Sequence, residues 1–188
     1  MRCETMRKKL LVSGCSFTQH TIKDDGIKKR WCHHVADKLD MDLVNLGKRG
    51  AGNEYIFSSI YDYIEDNSKP DMVIAAWSKC HRRDYKMRGL WMNDRLDIRG
   101  DEQYHLQRTD RYKRMLNDFC EYRGINYKGF QMIELRDGET IRDGDTNNVQ
   151  AQTIGFARSL NEDFISDTNR HPSELGHEKI GKYIYENL

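Results

Sequence analysis

Apolar residues recur along this chain in two rhythms, and the alternation between them predicts an architecture. Residues 8 to 13 (KKLLVS) form a short apolar run closed by Gly14, the pattern of a buried strand. Trp31, Val35 and Leu39 then recur every four residues, so a helix with one apolar face is expected from about 27 to 39. A second strand is expected over residues 42 to 46 (DLVNL), ended by glycines at 47, 50 and 52. Asn53 stands where it can cap the next helix, whose stripe is Ile56, Ile60 and Ile64. Pro70 and Asp71 break the chain before MVIAAW, residues 72 to 77, the clearest buried strand in the sequence.

After that strand the periodicity fades. Residues 80 to 110 are polar and carry Arg82, Arg83, Tyr85, Trp91 and Tyr104, which predicts an insertion or lid rather than a second domain. Tyr112, Met115, Leu116 and Phe119 mark a helix that Gly124 ends, and residues 126 to 133 are expected to form a fourth strand. Residues 136 to 148 (RDGETIRDGDTNN) are rich in turn formers. Pro172 is expected at the first position of a final helix carrying Leu175, Ile180 and Ile184. Strands alternating with helices predict one α/β domain over residues 1 to 188: a three-layer α/β/α sandwich around a mainly parallel sheet, flavodoxin-like in plan.

Composition narrows the function classes. The chain has 188 residues, with 31 Lys and Arg against 30 Asp and Glu, so no whole-chain field favours nucleic acid or an anionic membrane. The five cysteines at 3, 15, 32, 80 and 120 are scattered and form no CxxC pair, which suits free thiols in a reducing compartment. No stretch approaches the roughly twenty apolar residues that span a bilayer. The expected location is the cytoplasm, or a virion if the protein is viral. Cys32, His33 and His34 form a dense Cys/His cluster, but neighbouring helical side chains diverge by about 100°, so no metal is expected there.

Candidate chemistry follows from the topology. In an open parallel sheet, ligands bind beyond the carboxyl ends of the strands, where loops converge. The loops after the three strongest strands are GCSFT (14 to 18), NLGKRGAGN (45 to 53) and AWSKCHRR (76 to 83), with DTNRHPSELGH (167 to 177) leading into the last helix. A serine between strand and helix exposes its hydroxyl, and glycines in the next loop let backbone amides approach a substrate oxygen. A distant histidine folded onto the same rim would supply the base that a serine hydroxyl needs. This kit suits acyl transfer. The alternatives are a helix cap for Ser16, turn glycines at 47 and 52, and a helix-start residue for His171.

In order and spacing these segments resemble the SGNH (GDSL-like) hydrolases. GCSFT resembles the family's nucleophile block, with Ser16 at the serine position. Asn45, Gly47 and Gly50 match its N-x-G-x-x-G block, and HPSELGH matches its closing block. GCSFT together with AWS is most similar to the divergent SGNH-like proteins of bacteriophage genomes. The resemblance implies Ser16 as nucleophile, His171 as base, and the amides of Ser16 and Gly50 as oxyanion donors. It implies an esterase that removes an O-acyl group, such as acetyl, from a carbohydrate or small molecule without a cofactor. Asn53, Arg82 and Arg83 are the candidates for substrate contact; a solvated surface cluster is the other reading of the arginines.

Two positions depart from the family pattern. Its third block ends in an Asn that donates to the oxyanion, where this chain has Ser78, whose hydroxyl is expected to donate in its place. Its usual Asp three residues before the histidine is Thr168 here, so Asp167 or Asn169 is left to orient His171, or neither. These departures motivate a rival reading, an inactive SGNH-like scaffold kept as a binding or virion-associated protein. A third, a phosphate-binding α/β protein using the glycines at 47 to 52, lacks both the Walker Lys-Ser/Thr and the dinucleotide G-x-G-x-x-G spacing.

Overall fold

The structure, a computed structural model, describes residues 7–19, 26–133, 163–165 and 171–188. Its elements run β1 (Lys9–Gly14), α1 (Trp31–Leu39), β2 (Asp42–Asn45), α2 (Asn53–Asp66), β3 (Met72–Trp77), β4 (Arg82–Met87), β5 (Leu90–Leu96), α3 (Glu102–Tyr122), β6 (Asn126–Gln131) and α4 (Glu174–Glu186). Four strands form one parallel sheet in the order β2-β1-β3-β6. The inner strands β1 and β3 are covered on both faces: Leu10, Leu11, Val12, Val73, Ile74, Ala75 and Ala76 expose nothing to solvent. That double cover is why both read as unbroken apolar runs.

The chain steps from β1 to one side for β2 and then returns past β1 to β3. Right-handed crossovers therefore put α1 and α2 on opposite faces of the sheet. α1 packs with α4 on one face, while α2 packs against β1, β3 and α3 on the other. The mainly parallel, helix-flanked architecture expected from the pattern is the one observed. Reversal of strand order at β1 opens a crevice beyond the carboxyl ends of β1 and β3. Ser16 follows β1 at that point.

Several local expectations are corrected. α3 begins at Glu102, capped by the Asp101 side chain, which accepts from the Tyr104 amide at 2.7 Å. The inserted segment is thus shorter than 80 to 110 and regular: β4 and β5 pair as an antiparallel hairpin. Arg88 and Gly89 at its tip both take positive φ, 51° and 78°, as a tight hairpin turn demands. Asn53 is the first residue of α2, not its cap; Gly52 holds the cap position. Pro172 lies before α4, bridged to Phe164, and Ser173 caps the helix by accepting from the Gly176 amide at 3.2 Å. The fourth strand of the sheet, β6, ends at Gln131.

Candidate active site

The chain closes a tight turn straight after β1. The amides of Thr18 and Gln19 both donate to the Cys15 carbonyl, at 2.9 and 3.1 Å. Ser16 sits at the crown of this turn, 8% exposed. Its hydroxyl lies 2.9 Å from Nε2 of His171, a residue 155 positions away in sequence. The Phe17 ring packs beside the imidazole, with centroids 5.3 Å apart.

His171 is held through its main chain. The Ile165 amide donates to the His171 carbonyl at 3.0 Å, and the Ser173 amide donates to the Asp163 carbonyl at 2.7 Å. Asp163 is itself buried and pairs with Lys179 Nζ at 2.7 Å. Gly176 lets this strand approach α4: a Cβ there would collide with the Asp163 carbonyl. Sequence reasoning misses Asp163, Lys179 and the short ladder they anchor, because nothing local marks an ion pair between residues sixteen apart. Asp167 and Asn169, the candidates for orienting His171, lie outside the described residues.

The loop after β2 lies against the turn that carries Ser16. The Lys48 amide donates to the Gly14 carbonyl at 2.9 Å and the Arg49 amide to Gln19 Oε1 at 2.6 Å. Asn45 ties both loops, since its Nδ2 donates to the Thr18 carbonyl at 2.6 Å and its Oδ1 accepts from the Gly47 amide at 2.8 Å. Gly47 is required by contact: an added Cβ would stand 2.6 Å from the Gln19 amide nitrogen and the Thr18 carbonyl carbon. Gly50 is buried and left-handed, with φ of 72°. Among the described residues, nothing accepts from the amides of Ser16 or Gly50. Within that set, both amides therefore stay free in the two loops that meet at the rim.

Four other candidates have different surroundings from those expected. Asn53 is 3% exposed and its amide is consumed internally: Oδ1 accepts from the Ser78 amide at 2.8 Å, and Nδ2 donates to the Ser78 carbonyl and to Thr109 Oγ1, both at 3.1 Å. It joins α2 to the segment after β3 and offers a substrate nothing. Ser78 is wholly buried and its hydroxyl has no partner among the described residues, so it presents no solvent-facing donor for the oxyanion role expected of it. Arg82 donates from Nη1 to the Ala51 carbonyl at 3.1 Å, and Arg83 lies over the Tyr85 ring at 5.2 Å. Both arginines are half-buried with partners inside the fold.

Neighbouring polar groups are spoken for in the same way. His177 is wholly buried, and Nε2 lies 3.0 Å from Arg30 Nη1. Burial first, and the Arg30 charge second, hold its pKa well below the ordinary imidazole value. It stays neutral and packs the α1–α4 face rather than serving as a second base. Burial pushes the Cys32 thiol up to about 12, which keeps it protonated. Among the described residues, no three His, Cys, Asp or Glu side chains converge as a metal site, and no helix is long and apolar enough to cross a membrane.

Comparisons with known proteins bear on the fold. No family model and no curated protein matches this sequence. Among solved structures, the chain is similar to a "putative lipolytic protein of G-D-S-L family" from Desulfitobacterium hafniense DCB-2. The match has a TM-score of 0.59 at 16% identity and covers 97% of this chain and 100% of that one. A likeness at that identity carries the architecture, and the architecture of this chain is the GDSL-type α/β fold.

Proposed function

We propose that this protein is a serine hydrolase acting on esters, with Ser16 as nucleophile and His171 as general base. The observation that carries the reading is the 2.9 Å contact between the Ser16 hydroxyl and His171 Nε2 at the sheet's switch point. Ser16 Oγ attacks the ester carbonyl carbon while its proton passes to Nε2. The negative oxygen of the tetrahedral intermediate is received by the amides of Ser16 and Gly50, neither of which has an acceptor among the described residues. Collapse expels the alcohol, which takes the proton back from His171. Water then repeats the sequence on the acyl-serine: His171 accepts its proton, the acid leaves, and Ser16 regains its hydrogen.

Nε2 faces the serine, so an orienting group belongs at Nδ1, the role we assign to Asp167. We assign an O-acetyl or similar short acyl group on a carbohydrate or small molecule as substrate, on the resemblance of the three sequence blocks. The same resemblance suggests a bacteriophage-type protein working in the cytoplasm or carried on a virion. The chemistry calls for no cofactor. Ser16→Ala should abolish hydrolysis of p-nitrophenyl acetate while the melting temperature stays unchanged; undiminished turnover in that variant overturns the assignment.

One observation favours a second reading. The buried Ser78 replaces the family's third oxyanion donor, which suits a scaffold that binds a ligand in the crevice without cleaving it. A wild-type protein that turns over no short acyl ester would support the scaffold.

A further inference from the structure

The inserted hairpin is built onto the loop that carries Gly50. Asp84, on β4, is 5% exposed, and its carboxylate is met by N–H donors alone. Oδ1 accepts from the Gly52 amide at 2.9 Å and from Asn93 Nδ2 at 2.5 Å, and Oδ2 accepts from the Tyr55 amide at 2.8 Å. It makes no ion pair among the described residues. A buried carboxylate is tolerated when donors replace its water, and the amides at the start of α2 supply them with a favourable helix dipole.

The rest of the hairpin repeats the grip. Arg82 donates to the Ala51 carbonyl, and the Lys48 ammonium donates to the Trp91 carbonyl at 2.6 Å. Trp91 packs edge-on against Tyr55, with centroids 5.5 Å apart. The hairpin backbone lies so close that a Cβ on Gly52 would stand 2.7 Å from Asp84 Oδ2 and 3.0 Å from the Arg82 carbonyl. The strand register slips between Arg83 and Tyr85. Such a bulge re-aims the residue within it, and that residue is Asp84.

Residues 48, 51 and 52 are thus bonded to the hairpin while Gly50 between them keeps its amide free of any acceptor among the described residues. A left-handed glycine has several backbone wells open to it, so its flanks decide where its N–H points. We infer that Asp84, with Arg82, is a positioning residue that fixes the direction of the Gly50 amide, and that the hairpin is a fixed part of the oxyanion loop rather than a lid. The inference rests on the hydrolase reading for its catalytic meaning, but the mechanical claim stands apart from it.

Asp84→Asn keeps the size and loses an acceptor, forcing an NH2 against an N–H. Arg82→Gln loosens the same loop more gently, should the first variant fail to fold. Two readouts are taken on each. In the 15N-labelled protein, the N–H order parameter at Gly50 should fall from the rigid range near about 0.85 to below about 0.6 while those in β1 and β3 are unchanged. With p-nitrophenyl acetate, kcat should fall about ten- to a hundredfold with KM and the pH profile unmoved, because a misdirected donor weakens only the transition state. An unchanged Gly50 order parameter in a folded variant overturns the inference whether or not the protein is an esterase. So does a rise in KM at constant kcat for Arg82→Gln, which would make that arginine a substrate contact. A lowered Gly50 order parameter beside a wild-type protein without turnover overturns the hydrolase reading and leaves the hairpin's grip on Gly50 supported.

Discussion

The turn after β1 and the segment after β3 leave the same edge of one sheet, but different bonds hold them there. Around Ser16 the turn itself is closed main chain to main chain, Thr18 and Gln19 to the Cys15 carbonyl and Lys48 to the Gly14 carbonyl, with Gly47 letting the loops touch and the nearby side chains of Asn45 and Gln19 adding bonds between them. Around Ser78 they are side chain to main chain. Asn53 holds both the amide and the carbonyl of Ser78, and Gln131 Nε2 adds a second donor to that carbonyl at 3.1 Å. A loop held by its own backbone depends on glycines at fixed spacing, so its sequence is constrained. A loop held from outside accepts whatever residue its distant anchors can reach, so position 78 is less constrained by its own backbone.

The contrast can be broken from either side. Asn53→Ala should have the larger effect on folding, about 3 kcal/mol, because it strands a buried N–H and removes one donor from a buried carbonyl. Chemical denaturation measures it, and a loss under about 1 kcal/mol would mean that water replaces the amide. Gly47→Ala should cost about 2 kcal/mol through overpacking, since the Cβ meets backbone on Gln19 and Thr18 and not a side chain that can swing away. On the proposed mechanism it should also cut turnover more deeply than Asn53→Ala, because it pushes the loop carrying Gly50 away from Ser16. Equal activity losses in the two variants would erase the distinction drawn here.

Ser78→Ala is the smallest change expected. Deleting a buried hydroxyl with no partner among the described residues should leave stability the same or raise it by up to about 1 kcal/mol, with turnover within threefold of wild type. A fall of a hundredfold or more would return Ser78 to the oxyanion site and equate the two segments after all.

The same difference explains what is legible in the sequence. Strands β1 and β3 can be read because burial on both faces makes them continuous apolar runs, and α2 because Ile56, Ile60 and Ile64 keep one stripe. Ser16, Gly50 and His171 can be picked out because a strand-turn-helix junction, a glycine loop and a pre-helical histidine each have local signatures. Asp84 cannot: it sits in a polar stretch without clear periodicity, and its partners Gly52 and Tyr55 lie some thirty residues upstream. Asn53 reads as a helix cap because that is the commonest use of Asn before an apolar stripe. The remote carboxylate of Asp84 takes over that work and releases Asn53 to join Ser78 to α3. The start of α3 is hidden because Glu102, Gln103 and Gln107 keep its first turns polar on the outside.

The account turns on whether His171 makes the Ser16 hydroxyl a nucleophile, and covalent capture reads that without any guess about substrate. Wild-type protein treated with a fluorophosphonate probe, digested and analysed by mass spectrometry should carry the adduct on Ser16. His171→Ala should slow that labelling by about a thousandfold or more. Labelling of Ser16 at the same rate with and without the imidazole, or none on the folded wild-type protein, would contradict it.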